Sequence, residues 1–337
     1  IVFGILMGVL AIIFYTNSLK GWKSFYKIVP ALFLCYFLPA VLTTAGFISP
    51  DYSDLYTMAK YYALPAALIL MTLSIDIPGI LRLGPKALIM FATATVGIII
   101  GGPIAILVTS TFSPETVGGV GDEATWRGLA TLAGSWIGGG ANQTAMKEIN
   151  GVSDLIFSQM VIVDVFIANI FMSIILYGTA KRKRLDKWLK SDTTAIQTLQ
   201  DKMANYTSSV SKIPTLKEVM VMAGVVFGLI GLAHVLSSYL VPAFKDAVGD
   251  NVYLSFLANG FFWIIVLATI FGILLSFTKA RKMEGIGASR VGSIFIYILV
   301  ATIGMKMDIE QLIANWTTFK VLILVGIFWI VFHGILL

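Results

Sequence analysis

Cysteine occurs once in this chain and histidine twice, as Cys35, His234 and His333. A single thiol excludes an intrachain disulfide and a cysteine-built metal cluster, and two isolated histidines do not make a zinc site. Charge is scarce as well: Asp, Glu, Lys and Arg together make up 12% of 337 residues. No Walker-type loop, GxSxG, HExxH or CxxC motif occurs, so nothing points to a primary pump or a hydrolase. The net charge of +6 carries no nucleic-acid signal, because the basic residues cluster in short loops between apolar runs.

What the chain has in abundance is apolar length. Hydrophobic residues make up 58% of it, and the mean hydropathy is +0.89. Runs near twenty residues recur at 1–16, 28–47, 59–77, 86–111, 154–180, 217–241, 252–277, 289–306 and 319–337. Each is long enough to cross a bilayer, which makes this an all-α polytopic membrane protein. The chain begins at Ile1 and ends at Leu337, both inside apolar runs, so both ends are expected to be trimmed relative to the natural product.

Charge orients the spans. Lys20, Lys23 and Lys27 follow the first run, Arg82 and Lys86 join the third and fourth, and Lys279, Arg281, Lys282 and Arg290 join the seventh and eighth. Lys181 to Lys190 carries six basic residues and one acid. These loops are assigned to the cytoplasmic side. The loops bearing Asp51 and Asp54, then Glu115, Asp122 and Glu123, then Asp246 and Asp250, belong outside. Residues 181–214 form the one long polar segment, read as a cytoplasmic amphipathic linker carrying Leu185, Trp188 and Leu189, with a plain solvated linker as the alternative. Its Asn205 sequon then lies on the wrong side for glycosylation.

Residues 134–144 read Gly-Ser-Trp-Ile-Gly-Gly-Gly-Ala-Asn-Gln-Thr. Three consecutive glycines cannot hold an ordinary helix, each costing about 1 kcal/mol relative to alanine. Broken backbone at membrane depth survives only where protein buries it or a water-filled cavity lines it. Close packing of helices by small residues is the alternative explanation, but Ser135, Asn142, Gln143 and Thr144 add polar groups that packing does not need. Span four exits outward and span five must return inward to deliver Lys181 to the cytoplasm. The segment 127–150 should therefore start and finish on one side, as a re-entrant hairpin with half-helices 127–137 and 142–150. A single unwound crossing is the rival geometry.

The hairpin tip is a candidate solute site built from Ser135, Gly138, Gly139, Gly140, Asn142, Gln143 and Thr144. Free N–H groups at the start of its second half-helix suit an anionic group, and carbonyls freed near Trp136 to Gly138 suit a cation. Asn142 is read as the N-cap of that half-helix, Ser135 either reaches the solute or back-bonds its own helix, and Lys147 and Glu148 are expected to pair at the surface. Asp164 lies mid-span, ten residues from Asp154 and seventeen from Lys181. An intramembrane carboxylate is costly unless paired, hydrated or protonated, so Asp164 is read as a coupling-ion ligand or proton carrier, against a helix–helix clamp. Asn169 is a second candidate, although five residues separate it from Asp164, about 140° around a helix. Gln159 is assigned to packing.

The chain also repeats itself. ALILMTLSIDIPGIL at 67–81 and LVATIGMKMDIEQLI at 299–313 align Asp76 with Asp308, and each leads into another span. Their spans run in opposite directions, so the halves read as an inverted repeat of the kind secondary transporters use. Residues 1–180 form the first repeat with its broken element at 127–150, and 215–337 the second, which stops before its own broken element. Asp76 and Asp308 are read as N-caps rather than ion ligands. Pro30, Pro39 and Pro65 are candidate kinks, and GIGASRVG at 285–292 is a turn with a cap, or a hinge.

The residues GSWIGGGANQTA, the Asp in the following span and SIDIPGILRLGPKAL together resemble the YjcL-like family of uncharacterised bacterial membrane proteins. That family is distantly similar to the superfamily of cation/proton antiporters, bile-acid symporters and glutamate symporters. The kinship implies a panel domain, a core domain with two broken elements, an elevator-like shift, and coupling to sodium or protons with no other cofactor. Asp164 occupies the place of the antiporters' aspartate. The resemblance leaves room for a homodimer. The chain is therefore read as an ion-coupled transporter of a small anionic organic solute and not as an enzyme. The rivals are a cation/proton antiporter without organic substrate and a membrane structural or accessory protein.

Overall fold

A computed structural model describes residues 1–81, 84–180, 212–249 and 251–336. Among them there is no strand. The principal helices are α1 (Val2–Ser18), α2 (Lys23–Ile28), α3 (Ala31–Thr44), α4 (Leu64–Leu73), α5 (Pro85–Ser110), α6 (Thr125–Gly138), α7 (Gly140–Ile149), α8 (Asp154–Ala180), α9 (Leu216–Val248), α10 (Gly260–Ser276), α11 (Ala288–Met305) and α12 (Trp316–Leu336). Among the described residues five helices are long and apolar enough to cross a membrane, within α5, α8, α9, α11 and α12, and two bent pairs raise the number to as many as seven. In those pairs α1 meets Lys20–Ile28 at 90° and α10 meets Lys279–Ile286 at 97°. This is a multi-pass membrane protein, with fewer full-length straight spans than the nine apolar runs suggest. The difference arises at α3, which is 14 residues long, and at α4, where the helical path from Leu55 to Leu73 is interrupted by a π turn at Ala59–Ala63.

Pro65 explains the local irregularity. It has no N–H, so the Tyr61 carbonyl four residues earlier loses its helical donor. The His234 Nε2 group of α9 donates to that carbonyl at 3.2 Å, which joins the two helices. Elsewhere small residues let helices approach. A methyl on Gly292 would meet Leu70 and Met71, one on Gly272 would meet Thr72, and one on Gly101 or Gly102 would meet the Trp329 ring. This is the packing expected where lipid removes most of the hydrophobic driving force between helices.

Side-chain ties fix the directions. Ser74, at the end of α4, donates to Glu284 just before α11 at 2.5 Å, while Lys60 before α4 and Lys306 after α11 join one ionic cluster. Helices α4 and α11 are therefore antiparallel. The pair α5 and α12 is antiparallel too: Gly97 faces His333 and Leu336, whereas Gly101 faces Trp329 and Phe332. Asp76 and Asp308 each accept an amide N–H three residues on, from Gly79 and Gln311, both at 3.1 Å. Asp76 also pairs with Arg281 at 3.1 Å. The glycine-rich 285–292 stretch turns at Gly287, whose φ is +93°, and Ser289 is bonded to Glu284. The linker at 181–214 and its Asn205 sequon lie outside the described residues up to 211; the Lys212 amide donates to the Gly285 carbonyl at 3.0 Å.

Candidate functional site

Helices α6 and α7 form a hairpin. The backbone N–H of Ser153 donates to the Asp122 carbonyl at 3.0 Å, and Arg127 reaches the Asn150 carbonyl, so the segment leaves and returns at one point. A single unwound crossing cannot bring those residues together. Along the hairpin, a methyl on Gly134 would come within 2.7 Å of Met146 and 3.0 Å of the Asn142 carbonyl, so the two halves nearly touch.

The reversal sits at Gly139, with φ +84° and ψ −178°. That combination belongs almost only to glycine, because a Cβ there collides with its own backbone. The half-helices thus run to 138 and from 140, one and two residues closer together than the sequence suggests. Gly139, not Asn142, holds the N-cap position, and the backbone N–H groups of Asn142 and Gln143 both donate to its carbonyl, at 3.0 and 3.1 Å. The Asn142 side chain instead lies over Gly138, which has no Cβ to block it. Ile137, Gly138 and Gly139 are exposed, while Gln143 and Thr144 are buried. Thr144 returns its hydroxyl to the Gly140 carbonyl at 3.1 Å.

Asp164 projects from α8 onto this hairpin. It lies ten residues into the helix, about 15 Å from the Asp154 end, near the middle of a hydrocarbon layer. Its Oδ2 accepts from the Ser135 hydroxyl at 2.6 Å, and its Oδ1 accepts from the Trp136 indole N–H at 2.8 Å. Ser135 therefore holds the carboxylate and does not bond back to its own helix. Both carboxylate oxygens have neutral donors, the group is 8% exposed, and among the described residues no cation pairs with it. Trp136 in turn packs on Trp329 at a 5.0 Å ring separation, and the Trp329 N–H donates to the Ile98 carbonyl of α5 at 2.9 Å. The site is thereby anchored to four helices. The buried Tyr36 hydroxyl of α3 lies near Asp164 and Thr144, and Gln143 Nε2 and Gln159 Oε1 are buried with no hydrogen-bond partner among the described residues. Asn169 is elsewhere. Its amide bonds the Val165 carbonyl of its own helix, and it lines a groove to which residues 134–144 do not contribute.

At the base of the hairpin lies a second polar centre. Lys147 is 3% exposed. Its Nζ lies 2.6 Å from Asp154, 3.0 Å from the Tyr56 hydroxyl and 3.4 Å from Glu148. Lys306 meets Asp154 at 2.7 Å, and Lys60 and Tyr56 both bond Glu148. Three ammonium groups against two carboxylates leave one positive charge in excess. Lys147 and Glu148 are thus not a surface pair: Tyr56 and Lys60 from the segment before α4, Asp154 at the start of α8 and Lys306 just past α11 surround them. Lys60, Lys306 and Tyr56 escaped the sequence reading because they come from distant segments. A lone lysine beside an apolar run, in TMAKYY and IGMKMD, is the only local signal they leave.

These features define a multi-pass α-helical membrane protein with a glycine-broken hairpin facing a buried carboxylate. The chain belongs to the family described as Protein of unknown function (DUF819), whose model matches residues 4–337. It is similar to the Uncharacterized membrane protein YjcL of Bacillus subtilis (strain 168), with 23% identity over 285 residues, 82% of this chain and 65% of that protein. The chain thus spans just under two thirds of the relative's length. No solved structure matches it.

Proposed function

We propose that the protein is an ion-coupled secondary transporter in a bacterial inner membrane, with the hairpin tip as solute site and Asp164 as the carrier of sodium or a proton. The observation that carries this reading is Asp164 itself, a buried carboxylate with no cation partner among the described residues, held by Ser135 and Trp136 beside a backbone reversal with an exposed tip. A membrane acid kept at such cost has a use for its charge. A mere helix clamp would not need the glycine break, and a purely structural hairpin would have its tip walled in. The antiparallel pairing of α4 with α11 and of α5 with α12 supports two inverted halves. A small anionic organic solute suits the amides after Gly139. The narrower reading, a cation/proton antiporter without organic substrate, needs only Asp164 and its two neutral donors, Ser135 and Trp136.

The test is flux into proteoliposomes holding the full-length protein, under imposed sodium or pH gradients, with a panel of mono- and dicarboxylates as organic probes. Gradient-driven movement that Asp164→Asn abolishes is the expected result. Uptake of an acid marks the symporter, and ion exchange without any acid marks the antiporter. Flux unchanged in Asp164→Asn overturns the coupling role.

A further inference from the structure

Two open grooves flank the elbow between α1 and α2, and they share one construction. The larger, about 750 Å³, runs between the start of α3 and the second half of α8. Thr43, near the far end of α3, bonds the Met305 carbonyl at 2.9 Å, so α3 starts on the face opposite the Lys147 cluster. Residues late in α8 lie toward that same face. At this end the groove is lined by Lys27, Asn169 and Ser173; deeper in, by Phe33, Ile162 and Phe166. The smaller groove, about 370 Å³, lies between α1 and α11, with Arg290 and Ser293 at one end and Leu10 and Phe14 along its wall. Arg290 sits in the first turn of α11, on the same face as Lys27. Each groove therefore presents a cation and a serine where the spans end, and hydrocarbon below.

The surroundings have one sign. The first fifty residues contain no Asp or Glu, and Lys20, Lys23 and Lys27 fall on one 90° elbow. Among the described residues no ion pair engages any of the three. Trp22 and Phe25 pack edge-to-face at 5.6 Å, and the Tyr26 hydroxyl is tied to Thr16 at 2.6 Å, which holds the elbow rigid with its aromatic rings where membrane interfaces favour them. The walls open outward: Phe166 is 50% exposed and Ile170 47%.

We infer that these grooves bind anionic phospholipid from the leaflet at the basic face, with the phosphate at Lys27 or Arg290 and an acyl chain along the apolar wall. Cations with no ion-pair partner among the described residues, at one end of a hydrocarbon-lined groove, complement an amphiphile with a negative head. A free phosphate would use only the cations, and a zwitterionic lipid only the wall.

Native mass spectrometry of the full-length protein in detergent tests this, titrated with phosphatidylglycerol, phosphatidylcholine of the same chains, and glycerol 1-phosphate. Phosphatidylglycerol is expected to bind roughly fivefold or more tightly than phosphatidylcholine, the contribution of one lysine near the surface. Lys27→Gln should remove most of that preference at one site, Lys27→Arg should restore it, and Lys245→Gln, on α9, should leave it unchanged. Ile162→Trp, which fills the apolar end, should weaken retention of both lipids. Equal binding of the two lipids overturns the inference. So does glycerol 1-phosphate binding as tightly as phosphatidylglycerol, which would mark a free-phosphate site. Retention that Lys27→Gln and Arg290→Gln together leave untouched overturns it as well.

Discussion

Two adjacent glycines carry different loads. A side chain at Gly139 would meet open space, yet its backbone angles belong to glycine alone. At Gly140 the space is open too, but the residue is already helical. Gly139→Ala should therefore cost about 1–3 kcal/mol through backbone strain, while Gly140→Ala should be neutral or slightly stabilising. Thermal unfolding in detergent, followed by tryptophan fluorescence, separates the two; equal losses would refute the assignment of the break to residue 139. The sequence makes the interruption legible, since three glycines cannot be ordinary helix, but it cannot say which of the three turns the chain. Asn142 looked like the cap because Asn favours that position; the break came earlier because only glycine reaches the required angles. Asp164 was legible from the cost of a charge in lipid, and Ser135 as a polar group near the break. Trp136 as its second donor was not, because an indole in an apolar run reads as packing.

The hairpin's base is held by charges from separate elements. Lys147, with 4% of its side chain exposed, depends on Asp154 more than on Glu148, at 2.6 Å against 3.4 Å. Asp154→Asn leaves that buried ammonium only the Tyr56 hydroxyl and the more distant Glu148, and about 3 kcal/mol of stability should be lost. Lys147→Met should cost less, because Asp154 keeps Lys306 and Glu148 keeps Lys60. The double variant should fall well short of the sum of the singles, since it removes the stranded charge. Unfolding of all four proteins closes the cycle; additive losses would mean that the two groups do not support one another. Most helix positions were legible to within a few residues because apolar runs announce them. The partners across helices were not, because Lys60 and Lys306 are far from residue 147 in the chain and nothing in a run of Leu and Ile says which helix it will touch.

At the level of the molecule, helical pairs are matched in opposite directions: α4 with α11, α5 with α12. Trp329 ties the second of these pairs to the hairpin through Trp136 and to α5 through the Ile98 carbonyl. A displacement of the hairpin relative to α5 has to move that indole, so any such motion of the proposed carrier would act on the Trp136–Trp329 contact. The meeting of Asp122 and Ser153 has another consequence. Because one amide bonds the other's carbonyl, the intervening chain behaves as a cassette that could be cut out and the gap bridged by a short Gly-Ser link. Such a shortened protein should still insert and yield a monodisperse species on size exclusion, yet be inert in every flux assay, separating the part that builds the bundle from the part that does the work.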